Sequence, residues 1–295
     1  LPITAATRQW LIVSDLDGSL LDHHNYSFAA AEPLLAVLAQ AGVDVALCTS
    51  KTRAEVTVLR EKLGNASPFI VENGAAVYLP KSSFPTCPAD ATDAGDYWLR
   101  SFCEPRSHWL ALVERLKQHS DADFTHFAAM STAEVAAATG LSLAEAGQAC
   151  QREFGEPLLW RDSEEKLAQV SDWLRQQGAT VLAGGRFVHV CGDADKGQAL
   201  KWLAQQCAQR EPDKQFITMA LGDSGNDVAM LEAADFAVVI RSPVKAPPEL
   251  RRQEGAYFTR DCGPVGWVEG VGHWFSTLRN EVPAPPLPVR DQNNT

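Results

Sequence analysis

Apolar positions along this chain fall into two kinds of run. Short, mostly apolar stretches at residues 11–13, 43–48, 69–71, 216–221 and 236–240 are too brief for helices and read as strands buried on both faces. Between them lie periodic stretches with helix punctuation. Ser27 is placed to cap a helix running to about Gln40, closed by Gly42. Thr52 and Glu55 form a capping box for a helix that stops at Gly64. Asp195-Lys196-Gly197 opens a helix through about Gln209. A short helix follows Asp227, and Gly263-Pro264 opens the last one with proline in its first turn. Strands and helices alternating at these lengths predict right-handed βαβ units and a parallel sheet.

The alternation is interrupted once. Residues 81–105 carry Pro85, Pro88 and Pro105 among small polar residues and read as a connector. From there to about residue 183 the pattern is a separate mixture. A helix runs from Ser107 to His119, and capping boxes open at Ser131/Glu134 and Ser142/Glu145. A strand at 158–161 precedes a helix from Asp162/Glu165 to Gln177, and strands follow at 180–182 and 186–190. The expected architecture is α/β: a Rossmann-like parallel sheet core of residues 1–82 and 188–280, with an inserted α+β cap domain of residues 83–187. The run Val-Pro-Ala-Pro-Pro-Leu-Pro in the tail, 281–295, cannot hold a helix or a central strand, and the tail is expected to be disordered.

Composition narrows the function classes. The chain has 295 residues, 45% of them hydrophobic, which is enough for two cored domains. A formal net charge of -11 argues against nucleic acid or an anionic membrane as the main partner. No apolar run approaches the length that spans a bilayer, and residues 1–8 lack the basic and apolar regions of a signal peptide. The seven cysteines are odd in number and contain no C-x-x-C pair, so they read as reduced thiols with no zinc site. A cytoplasmic monomer or homodimer is expected.

Chemistry in an open parallel sheet collects beyond the carboxyl ends of the strands. Three predicted strand ends carry conspicuous residues: Asp15 and Asp17, Thr49 to Lys51, and Asp223 to Asp227. Two acids as near as Asp15 and Asp17 repel unless a cation or a proton lies between them. Asp15, Asp223 and Asp227 offer hard oxygens suited to Mg²⁺. Thr49 supplies a hydroxyl, and Lys196 a positive charge, for phosphate oxygens. The set suits phosphoryl transfer, with a carboxylate nucleophile becoming an acyl phosphate. Arg186, after two glycines, has the fork geometry for a carboxylate, whether of a substrate or of a surface ion pair. His189 reads as a core histidine, and Trp98, Trp109, Trp160 and Trp173 as packing.

Asp15-Leu16-Asp17-Gly18-Ser19, Thr49, Lys196 and Gly222-Asp223-x-x-Asn226-Asp227 resemble, in order and placement, the four motifs of the haloacid dehalogenase superfamily. The position of the insert resembles its large α/β (Cof-like) cap. Thr49-Ser50-Lys51-Thr52-Arg53-Ala54-Glu55, Glu72-Asn73-Gly74-Ala75, Thr139-Gly140-Leu141-Ser142, Arg152 to Pro157 and Gly184-Gly185-Arg186-Phe187-x-His189 resemble the mannosyl-3-phosphoglycerate phosphatases. Leu159 to Ser163 and Gly263-Pro264-x-Gly266-Trp267 resemble bacterial members in particular. Gly155 departs from the serine expected there.

The resemblance implies roles. Asp15 is the nucleophile, and Asp17 the general acid and base whose main-chain carbonyl also meets Mg²⁺. Asp223 completes the metal site with Asp227, directly or through water. Thr49 and Lys196 hold the phosphoryl group. Ser50, Lys51, Asn73, Gly74, Arg152, Arg186 and Asn226 bind substrate. The substrate implied is a small anionic phosphorylated sugar-glycerate, with mannosyl-3-phosphoglycerate first. Glucosyl-3-phosphoglycerate, a general sugar phosphate and a phosphomutase reaction stay open. Asp17 counts against a dehalogenase or a non-catalytic binding module, and Leu16 against a phosphorylation-driven ATPase.

Overall fold

A computed structural model describes residues 7–184 and 187–288 of the chain, which divides into two compact units. The first comprises Leu1–Thr49, Lys62–Arg100 and Asp195–Thr295. The second comprises Ser50–Glu61 and Ser101–Ala194. In chain order the elements are β1 (Thr7–Ser14), α1 (Glu32–Gln40), β2 (Asp44–Cys48), α2 (Arg53–Leu63), β3 (Phe69–Val71), β4 (Ala76–Pro80), β5 (Thr92–Ala94), β6 (Tyr97–Ser101), α3 (Arg106–His119), β7 (Phe124–His126), α4 (Thr132–Thr139), α5 (Leu143–Ala149), β8 (Gly155–Trp160), α6 (Glu164–Gln176), β9 (Thr180–Gly184), β10 (Phe187–Cys191), α7 (Lys196–Arg210), β11 (Lys214–Gly222), α8 (Val228–Ala233), β12 (Phe236–Arg241), β13 (Ala256–Cys262) and α9 (Gly263–Thr277).

The first unit is built on a nine-stranded sheet ordered β13-β12-β11-β1-β2-β3-β4-β6-β5. From β13 to β3 every neighbouring pair is parallel. β4 turns back antiparallel to β3, and β5 and β6 form an antiparallel pair. β1 lies between β11 and β2, and its residues from Trp10 to Ser14 are fully buried. That burial explains its unbroken apolar run, because a central parallel strand is covered on both faces. The register sets Ser14 level with Leu221 of β11 and Leu47 of β2. The residues that follow these positions therefore emerge at one edge of the sheet.

The second unit carries a four-stranded antiparallel sheet, β7-β8-β10-β9. Trp109, Leu112, Val113 and Leu116 of α3 pack with Val170 and Leu174 of α6 on Leu158, Val188 and Val190 of the strands. The three-to-four-residue spacing in α3 puts one apolar stripe on the sheet. Each large side chain so buried contributes roughly 1.5–3 kcal/mol. Trp160 and Trp173 pack against the same core. α4 and α5 open on the two expected capping boxes, at Ser131/Glu134 and Ser142/Glu145.

The fold class is the expected one: a Rossmann-like parallel sheet interrupted by an α+β unit. The expected boundaries, residues 82/83 and 187/188, do not coincide with those of the two units. Residues 83–100 join the first unit because β5 and β6 extend its sheet, and β10 completes the sheet of the second. Residues 50–61 cluster with the second unit, where Thr52 Oγ1 donates to the Gln148 carbonyl (3.0 Å) and Arg53 pairs with Glu153 (3.2 Å).

Several local expectations are corrected. α1 starts at Glu32 rather than after Ser27, because Pro33 is tolerated only in a first turn. Residues 81–105, expected as a connector, hold β5 and β6, joined at Gly95 with φ +74°. Ser163 caps α6, while the Asp162 carboxylate accepts from Asp123 N–H and Ser163 N–H. In the tail expected to be disordered, residues 281–288 are described and Val282 is buried. Among the described residues no helix is long and apolar enough to cross a membrane.

Candidate active site

Asp15 is the first residue beyond β1. Its N–H donates to the Leu221 carbonyl (2.8 Å), extending the ladder by one bond before the chain turns. The turn is tight: Ser19 N–H and Leu21 N–H both return to the Leu16 carbonyl. Asp17 lies on this turn, partly exposed, while Asp15 is 6% exposed. Thr49, at the end of β2, is buried; its main-chain carbonyl accepts from Asn73 N–H (2.9 Å).

Residues Glu72, Asn73 and Gly74 form a 3-10 turn in which all three have positive φ (48°, 61° and 96°). Gly74 is required there for a second reason. A Cβ at this position would lie 2.3 Å from the Asp195 carbonyl carbon and oxygen and 2.6 Å from Lys196 N. The turn is therefore pressed against the start of α7. Asp195 caps that helix, accepting from Gln198 N–H (2.8 Å). Lys196 is the first helical residue, and it is fully buried.

The Lys196 ammonium donates to Asp15 Oδ1 and to Asp227 Oδ1, each at 2.6 Å. Asp227 uses its other oxygen, Oδ2, to accept from the N–H groups of Asp223 and Ser224, both at 3.1 Å. Asp223 is the first residue beyond β11 and is 4% exposed. One carboxylate oxygen from each of Asp15, Asp223 and Asp227 lies within 4.8 Å of the others. That donor set of hard oxygens at the sheet edge fits a small divalent cation such as Mg²⁺.

Electrostatics follow from this crowding. Burial, and then the Asp227 charge, push the Asp15 carboxyl up to about 7, against the opposing pull of Lys196. Burial and Asp227 likewise raise Asp223, opposed by the Ser224 hydrogen bond and the charges of Lys245 and Lys196. The carboxylates around Lys196 raise its pKa despite its burial, so it stays an ammonium.

The structure thus brings Asp15, Thr49, Asn73, Gly74, Lys196, Asp223, Asn226 and Asp227 into the first unit, with Asp17 on the turn beside them. Asn226 is anchored to Asn73, its Nδ2 donating to Asn73 Oδ1 (3.1 Å). Ser50, Lys51 and Arg152 belong to the second unit, where the Arg152 guanidinium donates to the Ser50 carbonyl (3.4 Å). His189 lies in the same unit, on β10; burial, then the Arg152 charge, push its imidazole down to about 4. Arg186 lies outside the described residues. Lys245 escaped sequence reasoning. It lies in the loop after β12, the neighbour of β11, and the strand order was the missing signal.

Residues 158–275 match the family model of sucrose-6F-phosphate phosphohydrolase, and residues 12–88 that of haloacid dehalogenase-like hydrolase. A glucosyl-3-phosphoglycerate/mannosyl-3-phosphoglycerate phosphatase of Methanococcoides burtonii is 34% identical over 267 residues, 88% of this chain and 95% of the relative. Two solved structures share the fold. The sucrose-phosphatase of Synechocystis, in complex with sucrose and phosphate, has a TM-score of 0.59 at 18% identity, covering 91% of this chain and 98% of that one. A haloacid dehalogenase-like hydrolase of Bacteroides thetaiotaomicron has a TM-score of 0.64 at 15% identity, covering 92% and 100%. With its strand-end carboxylates and buried lysine in the order that superfamily uses, the chain belongs to the haloacid dehalogenase-like hydrolases, in the mannosyl-3-phosphoglycerate phosphatase family, and is a phosphatase.

Proposed function

We propose that this phosphatase hydrolyses mannosyl-3-phosphoglycerate to mannosylglycerate and phosphate through an aspartyl phosphate on Asp15. The observation that carries the mechanism is the Lys196 ammonium 2.6 Å from Asp15 Oδ1, with an Asp223 oxygen within 4.8 Å of the same carboxylate group. Lys196 orients Asp15 and lowers the repulsion that an incoming phosphate meets. A free Asp15 oxygen attacks phosphorus and the bond to the glycerate oxygen breaks. Asp17 gives its proton to that leaving oxygen. It then takes a proton from the water that hydrolyses the acyl phosphate, which restores both carboxyl groups. Thr49 holds a phosphoryl oxygen.

Mg²⁺, when bound, supplies neutralising charge for the phosphoryl group. Asp15 and Asp223 are its carboxylate ligands in this reading, with the Asp17 carbonyl. Asp227 already uses both oxygens, one on Lys196 and one on the N–H groups of Asp223 and Ser224. Its remaining lone pairs can meet the cation directly or through water, while its hydrogen bonds orient those two residues.

Support for the substrate comes from the Methanococcoides relative, whose name carries both the glucosyl and the mannosyl compound, at 34% identity over 95% of its length. Glucosyl-3-phosphoglycerate is accordingly the second reading. Ser50, Lys51, Asn73, Gly74, Arg152, Arg186 and Asn226 serve substrate binding, as the family motifs imply.

The test is phosphate release from the two hexosyl phosphoglycerates and from plain hexose phosphates, with Mg²⁺ and with excess EDTA. Expected are turnover of the glycerate compounds only with Mg²⁺, and none by Asp15→Asn, whose amide cannot form the acyl phosphate. Full activity in EDTA would refute the cation assignment. An isomeric phosphate product without free phosphate would make the enzyme a mutase.

A further inference from the structure

The motif Gly263-Pro264-x-Gly266-Trp267 has no place in the chemistry above, yet its four named residues are constrained. It opens α9. Gly263 has φ +54°, a conformation that disfavours any side chain, and Pro264 occupies the first turn. Gly266 is pressed on the preceding strand: a Cβ there would lie 2.2 Å from the Asp261 carbonyl oxygen. These features fix the direction in which Trp267 enters the core, where it is fully buried.

Trp267 is more than packing. Its indole Nε1–H donates to Ser14 Oγ (2.9 Å), and the Ser14 hydroxyl, with its one proton, donates to the main-chain carbonyl of Asp15 (2.7 Å). Both bonds are buried. A hydroxyl that could rotate to other acceptors is thereby aimed at one of them. The Asp15 carbonyl also accepts a long bond, 3.4 Å, from Leu20 N–H. Its N–H is held by Leu221 and its carboxylate by Lys196. The hydroxyl fixes the remaining group, the peptide plane from which the chain turns.

We propose that Trp267 and Ser14 are positioning residues that brace the Asp15 peptide, so that the carboxylate meets phosphorus in line. This rests on the reading of Asp15 as nucleophile. In-line attack is sensitive to sub-ångström placement, so the brace acts on turnover more than on substrate binding.

The test uses the full chain with Mg²⁺ and p-nitrophenyl phosphate. Ser14→Thr and Ser14→Val add the same bulk on the same β-branched frame, and only Thr keeps the hydroxyl. Expected is kcat within about twofold of wild type for Thr. Val should lose about tenfold in kcat, with KM changed less than twofold. Trp267→Phe should lower kcat similarly, and combining it with Ser14→Val should add little, since both act on one carbonyl. Equal losses in Thr and Val, whether of kcat or of folded protein, would overturn the proposal by assigning Ser14 to packing alone. So would a loss confined to KM, or independent effects that multiply. Asp15→Asn in the same assay separates the two readings. If it is inactive while Ser14→Val turns over normally, only the brace fails; if it stays active, the nucleophile assignment fails.

Discussion

Asp15 is held in a balance of opposed effects. Burial and the Asp227 charge favour its neutral form, and the Lys196 ammonium favours the carboxylate; burial wins, raising its pKa from 3.8 to about 7. The consequence for stability has a definite sign. Between those two values the folded protein holds a proton that the unfolded chain releases, so this contribution is fully present below about 3.8 and is lost as pH rises through about 7. Urea unfolding in EDTA should therefore show wild type losing stability relative to Asp15→Asn as pH goes from 5 to 8, since the amide does not titrate. A difference independent of pH would mean that burial does not control Asp15. Most of the residues around it were legible, because a strand end followed by an acid is a local signal. The aim of the Ser14 hydroxyl was not. Its donor, Trp267, is 253 residues away in sequence, and an indole in an apolar helix reads as packing.

Among the elements, the turn at Glu72–Gly74 does the most with the fewest residues. It backs the first residues of α7 through Gly74 and holds Asn226 through Asn73. Lys196 and Asp227, which meet each other at 2.6 Å, thus both depend on it. Gly74→Ala places a Cβ against the Asp195 peptide in a backbone region costly for alanine. It should lower stability by about 1–3 kcal/mol and cut turnover at least tenfold by shifting Lys196, as read by urea titration and phosphate release. Wild-type turnover would show that α7 is positioned from elsewhere. The central strands were legible as elements because burial on both faces writes a mostly apolar run. β13 was not: it is an edge strand, half-buried at its ends and exposed at Phe258, Arg260 and Asp261, with only Thr259 buried, so it shows no clean period. β5 and β7 have three residues each, too few to show a period.

For the whole molecule, an interrupted parallel sheet was legible but the partition of the chain was not. The helix at 53–63 follows a local capping signal, whereas the membership of residues 50–61 in the second unit rests on contacts such as Thr52 with Gln148, 96 residues on. A longer distance governs the middle of the large sheet. β1 leaves the ribosome shortly before β2, and β11, its other neighbour, comes about 200 residues later. At about 5–20 residues per second that is a delay of roughly 10–40 s. During it the polar backbone row along one side of an apolar strand has no native partner, the condition that invites pairing with other chains. Chains cut before Lys214 should remain in that state and collect in the insoluble fraction on expression, whereas the full chain should not. A soluble, monomeric product of that length would show that something else covers β1. Asp223 and Asp227 follow directly on the same late strand. A nascent chain therefore acquires its missing sheet neighbour and its carboxylate cluster together, and on the proposed mechanism turnover waits for that strand.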